Sequence, residues 1–228
     1  MITQRDHTVN AKLLLASASP RRRELIKLLG LPVETTAADI DETPLDHEAA
    51  AVLAVRLSQA KARAVLSVGR SPSTVILASD TIVSLDDEPL GKPIDADDAR
   101  SMLRRLRDRV HQVHTAITLI DLAADRSLTD LATSDVRMRA YTDQEIDAYI
   151  ASGDPFDKAG AYAIQHSGFD PAENFAHCFA NVMGLPLCHV TRTLRQLGIE
   201  AVNDVPSACQ AHLSYKCPVY QAILTNNE

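Results

Sequence analysis

Leu13-Leu14-Leu15-Ala16-Ser17-Ala18-Ser19-Pro20-Arg21-Arg22-Arg23-Glu24 is an apolar run that stops in small hydroxyl residues and restarts as a basic helix. A run of this length bounded by Ser and Pro suits a buried strand, and Leu25, Leu28 and Leu29 supply a helical stripe that ends at Gly30. The unit is therefore strand, loop, helix. Ser19 is placed as an N-cap and Pro20 as the first helical residue, which leaves backbone N–H groups free beside Arg21, Arg22 and Arg23. Three arginines in a first turn oppose the helix dipole, so they read as compensated by a bound anion, phosphate above all. The alternative is a solvated basic patch over an ordinary cap.

Outward from this stretch, composition narrows the function. With 228 residues, 46% of them hydrophobic, the chain has material for one well-cored domain or two small ones, without disorder or a membrane span. A formal charge of −7 argues against broad nucleic-acid binding and makes the arginine cluster a local basic site suited to a small anionic ligand. The absence of Trp and the low aromatic content weaken any base-stacking platform. Cys178, Cys188, Cys209 and Cys217 form no Cys-x-x-Cys pair and are read as reduced thiols. Met1 to Asn10 lack the apolar core of a signal peptide, so the expected location is the cytoplasm.

Further along, a strand is expected over Leu31–Thr36, running into Asp39-Ile40-Asp41-Glu42. That acidic loop is either solvated or a partner for a hard cation, since magnesium takes one or two carboxylates and fills its other positions with water and phosphate oxygens. Ala49–Val68 reads as a long helix with Leu53, Leu57, Ala60 and Ala64 as its buried stripe. Lys61 lies beside that stripe, where its ammonium either snorkels to a phosphate or sits in water. Gly69–Ser73 breaks the helix.

Thr74–Ser79 is an apolar strand that stops at Asp80-Thr81 before Ile82–Leu85 resumes the pattern and Asp86-Asp87-Glu88 turns. A carboxylate between two apolar runs must be paired, hydrogen-bonded or metal-bound if buried. Asp80 and Ser17–Ser19 both fall at strand carboxyl ends, where open α/β folds bind ligands, which favours a catalytic Asp80. Lys92, fixed between Gly91 and Pro93, is a further phosphate candidate.

A helix over Asp95–Arg107, with Asp95 as its N-cap, is followed by strands at His111–Leu122 and Ser134–Arg139, the second with one wet face. His111 and His114 point to opposite strand faces and so cannot share a metal. Thr142-Asp143-Gln144-Glu145 is a capping box opening a helix to Ser152. Asp157–Gln165 is expected to join a polar turn to a short strand through two small residues, making Lys158 and Gln165 site candidates. Asn181–Pro186 reads as a turn, and Leu187, Val190, Leu194 and Leu197 stripe a helix stopped by Gly198. Ala201–Glu228 shows no clear period. Walker, Gly-x-Gly-x-x-Gly and nucleophile-elbow motifs are absent.

Taken together, six blocks resemble, in order and spacing, the Maf family of nucleoside triphosphate pyrophosphatases: Ala16–Arg22, Asp39–Pro44, Lys61-Ala62, Ala78–Thr81, Leu90–Pro93 and Asp157–Tyr162. The likeness covers residues 12–198, leaving residues 1–11 as an N-terminal extension and 199–228 as a C-terminal tail. It implies an α/β fold like that of the inosine triphosphate pyrophosphatases, a mixed twisted sheet flanked by helices in two lobes around a central cleft. It implies hydrolysis of a nucleoside triphosphate to the monophosphate and pyrophosphate with a divalent cation, magnesium or manganese, and a homodimer. By the same resemblance Asp80 takes the proton of the attacking water and shares the metal with Glu42, and Arg21, Arg22, Lys61 and Lys92 hold the phosphates, with Ser17, Ser19 and Lys158 as further substrate-binding candidates. Asp80-Thr81 and Ile164-Gln165 are similar to the branch acting on dTTP and UTP, with Arg21, Thr81 and Gln165 setting base choice. The other readings are a 7-methyl-GTP enzyme and a nucleotide-binding regulator of cell division. This chain departs from the pattern at His177-Cys178-Phe179-Ala180, where the family often carries Gly-Ser-Tyr, and across Ser167–Ala176.

Overall fold

Leu13 to Ala16 form an unbroken apolar run because both faces of their strand are covered: Leu13 and Leu15 join one core, Leu14 and Ala16 another on the opposite side. The computed structural model describes residues 12–67 and 74–225. The expected extension at 1–11 and the Gly69–Ser73 break therefore lie outside the described residues. Strand β1 (Lys12–Ala16) leads to helix α1 (Pro20–Ile26), β2 (Val33–Thr36), α2 (Ala50–Ala64), a long β3 (Thr74–Leu85) and a short β4 (Glu88–Leu90). Then come α3 (Ala96–Leu106), β5 (Val110–Asp121), β6 (Arg126–Arg137), α4 (Asp143–Ala151), α5 (Phe179–Val182), α6 (Leu187–Gln196), α7 (Val205–Leu213) and α8 (Tyr220–Thr225).

The sheet is mixed. Its order is β2-β1-β3-β5-β6, parallel across β2, β1 and β3 and antiparallel from β3 through β5 to β6. β4 folds back on the far end of β3 through Asp86 and Asp87, both with positive φ, the backbone a two-residue hairpin turn needs. Two cores divide the length of β3. Val75 and Leu77 pack with α1, α6 and α7, whereas Val83 and Leu85 pack with α3 and α4. α2 closes the other face of the sheet, where Ala62 and Val65 meet Ile76 and Ala78. The expected sheet with flanking helices and two lobes is what forms. Among the described residues no helix is long and apolar enough to cross a membrane.

Local chemistry fixes the helix ends as read: Asp95 caps α3 by accepting from Asp98 N, and Thr142 and Glu145 make the capping box of α4. Several boundaries differ. β2 begins at Val33 rather than Leu31, and β6 begins at Arg126 rather than Ser134, because its first half is a polar sheet edge with little burial to mark it. The buried stripe of α2 includes Leu53 and Leu57 but not Ala60 or Ala64; Ala50, Ala54, Ser58, Lys61 and Ala62 complete it. No strand follows Lys158: Gly160 and Ala161 take positive φ in succession and the segment winds into a 3-10 turn. Asn181 belongs to the helical turn α5, not to a loop. Beyond Gly198 the chain forms α7 and α8, the first burying Val205 and the second tied to α6 through Arg192 Nη1 and the Ile223 carbonyl at 3.2 Å.

Candidate active site

β3 outruns its parallel neighbour. β1 pairs as far as Ala78 and β4 takes over at Val83, so Ser79–Ile82 have no strand on that edge, although β5 pairs with them along the other. Asp80 thus lies in mid-strand, opposite Ala116, rather than at a strand end. It is nevertheless just beyond the carboxyl end of β1, which keeps the α/β geometry intact. A cleft of ≈ 650 Å³ opens over this gap, walled by the β1–α1 turn, Leu90–Lys92, the loop from Asp157 to Gln165 and Val182–Gly184.

The two-residue period of β3 sorts its side chains. Asp80 faces α2, as Ile76 and Ala78 do, and Ser79 and Thr81 face the opposite side. Lys61 of α2 meets Asp80 there: Nζ is 2.5 Å from Asp80 Oδ1 and 2.6 Å from Glu42 Oε1. Asp80 and Lys61 are buried and Glu42 is half exposed, so one ammonium joins two carboxylates at the cleft floor. Lys61 is thus buried between carboxylates rather than in water, and it lines the cleft where a phosphate was expected. Among the described residues Asp80 Oδ2 receives no hydrogen bond, which leaves it for a water. Glu42 and Asp80 also suit a hard cation, which needs only one or two carboxylates when phosphate and water supply the rest; no three His, Cys, Asp or Glu side chains converge among the described residues.

The arginines divide their work. Arg22 donates through Nε to the Gly184 carbonyl (2.8 Å), through Nη1 to the Ser79 carbonyl (2.6 Å) and through Nη2 to Thr81 Oγ1 (2.9 Å). Burial pushes its pKa down, against the raising pull of the Asp80 carboxylate. These bonds brace the walls, and Arg22 lines the cleft where a phosphate ligand was expected. Arg21 reaches across the cleft mouth, with Nη1 3.7 Å from Asp157 Oδ2.

At the start of α1 most N–H groups are taken. Ser19 N donates to Ser17 Oγ (3.1 Å), Arg22 N to Ser19 Oγ (3.4 Å) and Arg23 N to the Ser19 carbonyl, and Pro20 has none. Ser17 and Ser19 therefore shape the turn, and Arg21 alone brings a free backbone N–H in the first turn.

Lys92 is exposed on the opposite wall. Lys158 lines the cleft but its ammonium is spent on the Asp154 carbonyl (2.6 Å), the Asp154 carboxylate (2.9 Å) and the Asp157 carboxylate (2.5 Å). Thr81 Oγ1 lies 3.0 Å from Thr115 Oγ1 as well as on Arg22, and Gln165 is exposed at the rim. His111 and His114 go to different partners, Tyr162 and the pair Ser84 and Thr133. Three residues were not anticipated as part of the site: Ser79, Asp157 and Gly184. Gly184 has φ +97°, and a Cβ there would lie 3.1 Å from both Arg22 Nε and Thr81 Oγ1. Its glycine after Asn181-Val182-Met183 was the signal, legible as a turn but not as the acceptor for Arg22.

The arrangement offers a paired carboxylate beneath an open cleft with cationic groups on two walls, which suits attack of water on an anionic ester or anhydride. A family model described as "Maf-like protein" matches residues 12–197. A dTTP/UTP pyrophosphatase of Geobacter metallireducens is 43% identical over 83% of this chain and 97% of its own. Proteins with the same description from Hahella chejuensis and Thermomicrobium roseum are 42% and 40% identical, over 85% and 94% of this chain and 96% of each relative. The solved structure of the Staphylococcus aureus Ham1 protein aligns with 89% of this chain and 98% of that one, at 15% identity and a TM-score of 0.42.

Proposed function

The chain belongs to the Maf family, and from that premise we propose that it is a pyrophosphatase of dTTP and UTP, with Asp80 as the base. Support comes from the relatives' activity and from one observation in this molecule, the Asp80–Lys61–Glu42 cluster at the floor of the cleft. Water held by Asp80 Oδ2 attacks the α-phosphorus, the carboxylate takes its proton, and pyrophosphate leaves. Lys61 fixes the carboxylate in position through Oδ1. Arg21 and Lys92 offset the phosphate charge from opposite walls, and Gln165 at the rim has both a donor and an acceptor for a pyrimidine edge. A divalent cation bound at Glu42 and Asp80 would neutralise phosphate oxygens and polarise the bond to be broken. Arg22 and Lys158 act from behind, the first holding Ser79, Thr81 and Gly184 together and the second bracing the loop that presents Asp157.

The test is pyrophosphate release from dTTP, UTP, CTP, 7-methyl-GTP and the common purine nucleotides, with magnesium, manganese or chelator, beside Asp80→Asn. Cleavage concentrated on dTTP and UTP, lost with chelator and lowered by orders of magnitude in the variant, is the expected outcome. Activity of Asp80→Asn within about tenfold of the parent, a barrier change of about 1.4 kcal/mol, would remove Asp80 as the base.

A further inference from the structure

Cys178, Cys188, Cys209 and Cys217 of the C-terminal region line one small apolar pocket between α5, α6 and α7. All are free thiols, with Cys178 and Cys188 buried and Cys209 and Cys217 partly exposed. Two of them are partnered. Cys178 and Cys217 line the pocket together, and their thiols are the two that interact directly. The Tyr215 hydroxyl ties the two segments together, 3.0 Å from the Phe175 carbonyl and 3.1 Å from that of His177, while Cys217 N donates to Gln210 Oε1 of α7 at 3.1 Å. Cys178 directly precedes α5, whose far end leads into Met183 and Gly184 on the cleft wall.

Reactivity separates the four. The interaction with Cys178 draws the Cys217 thiol below the ordinary cysteine value, which favours its thiolate. The same interaction and burial push Cys178 up, while burial raises Cys188 to about 12 and Cys209 to about 11. A thiolate in partial contact with solvent beside a protonated thiol is the pairing of an attacking and a resolving cysteine.

We propose that Cys178 and Cys217 are a peroxide-reactive dithiol that closes to a disulfide between the C-terminal tail and the segment bearing the cleft wall. The Cys217 thiolate attacks one oxygen of a hydroperoxide; the O–O bond breaks, the departing oxygen leaves protonated as water or an alcohol, and Cys217 becomes a sulfenic acid. Cys178 attacks that sulfur, gives up its proton, and the hydroxyl leaves as water. Two thiols are oxidised by two electrons in total and one peroxide is reduced.

The reduced full-length protein is treated with hydrogen peroxide, its remaining thiols are alkylated, and its peptides are mapped without reductant. The expected product joins Cys178 to Cys217, reverts with dithiothreitol and leaves Cys188 and Cys209 alkylated. Cys178→Ser should leave Cys217 trapped as a sulfenic acid that a dimedone probe labels, and Cys217→Ser should give no bridge. Independently of any variant, Cys217 of the untreated protein should alkylate at least about tenfold faster at pH 7 than Cys188 or Cys209. A bridge involving Cys188 or Cys209, Cys217 still alkylated after peroxide, or equal alkylation rates would overturn the proposal. None of these readouts uses nucleotide hydrolysis, so they stand or fall apart from the assignment of the cleft.

Discussion

Arg22 uses all three of its nitrogens on the protein, and two of its acceptors are main-chain carbonyls that no mutation can remove. A lysine has the charge without the planar fork, so Arg22→Lys keeps at most part of this bracing. The expected result is a loss of about 2–3 kcal/mol in urea unfolding, from charge-assisted hydrogen bonds left unmade, together with a lower kcat. Unchanged stability would show that the brace carries no strain. At this scale the sequence was informative where a residue broke its own surroundings, as Asp80 does between apolar runs. Lys61 was harder to read because its stripe was traced by apolar residues alone, yet its burial depends on a carboxylate that β3 presents. Arg22 was harder still: its acceptors are 57 and 162 residues away, and nothing local announces them.

Elements were legible in proportion to how local their causes are. Caps at Asp95 and Thr142 involve neighbours three residues on, and the apolar run of β1 follows from being covered on both faces. The first half of β6 and the turn after Lys158 answer to tertiary partners, so their residues carry no period of their own. α5 is an extreme case, a single turn of four residues held by Asn181. The buried amide donates to the Val113 carbonyl (3.1 Å) of β5 and to Ser134 Oγ (2.9 Å) of β6, and Thr115 Oγ1 donates to the Asn181 carbonyl (2.9 Å). Asn181→Ala should cost about 2 kcal/mol in chemical denaturation through the acceptors it strands. An unfolding curve coincident with that of the parent would mean that α5 is positioned by its apolar contacts instead.

For the molecule as a whole, buried histidines set an acid limit. Burial lowers both His111 and His189 to about 4, and lowers His114 as well. In the unfolded chain a histidine binds its proton below about 6.5, so between there and pH 4 the unfolded state holds more protons than the folded one. Stability should therefore be complete above pH 6.5 and fall as the pH drops towards 4, with no further loss from these groups below it. At pH 5 the expected deficit is about 2 kcal/mol for each of His111 and His189, read as a lower urea midpoint than at pH 7.5. His111→Gln should shallow that slope, and a flat profile would contradict burial of the neutral forms.

The two cores share one strand, and that arrangement has a consequence for how the polypeptide is made. Asp80, Lys61, Glu42, Arg21 and Lys92 have all been synthesised by residue 92, but the strand that backs Asp80 through the gap is β5, aligned at Ala116. A nascent chain that ends soon after β4 thus holds the cleft's floor residues and the β2-β1-β3-β4 strands, but lacks the strand that pairs with Ser79–Ile82 and the walls at Asp157–Gln165 and Val182–Gly184. Completing the sheet waits for β5 and β6, which supply its antiparallel half. Chemistry is encoded early and assembled late, so products of interrupted translation carry these side chains but have no site.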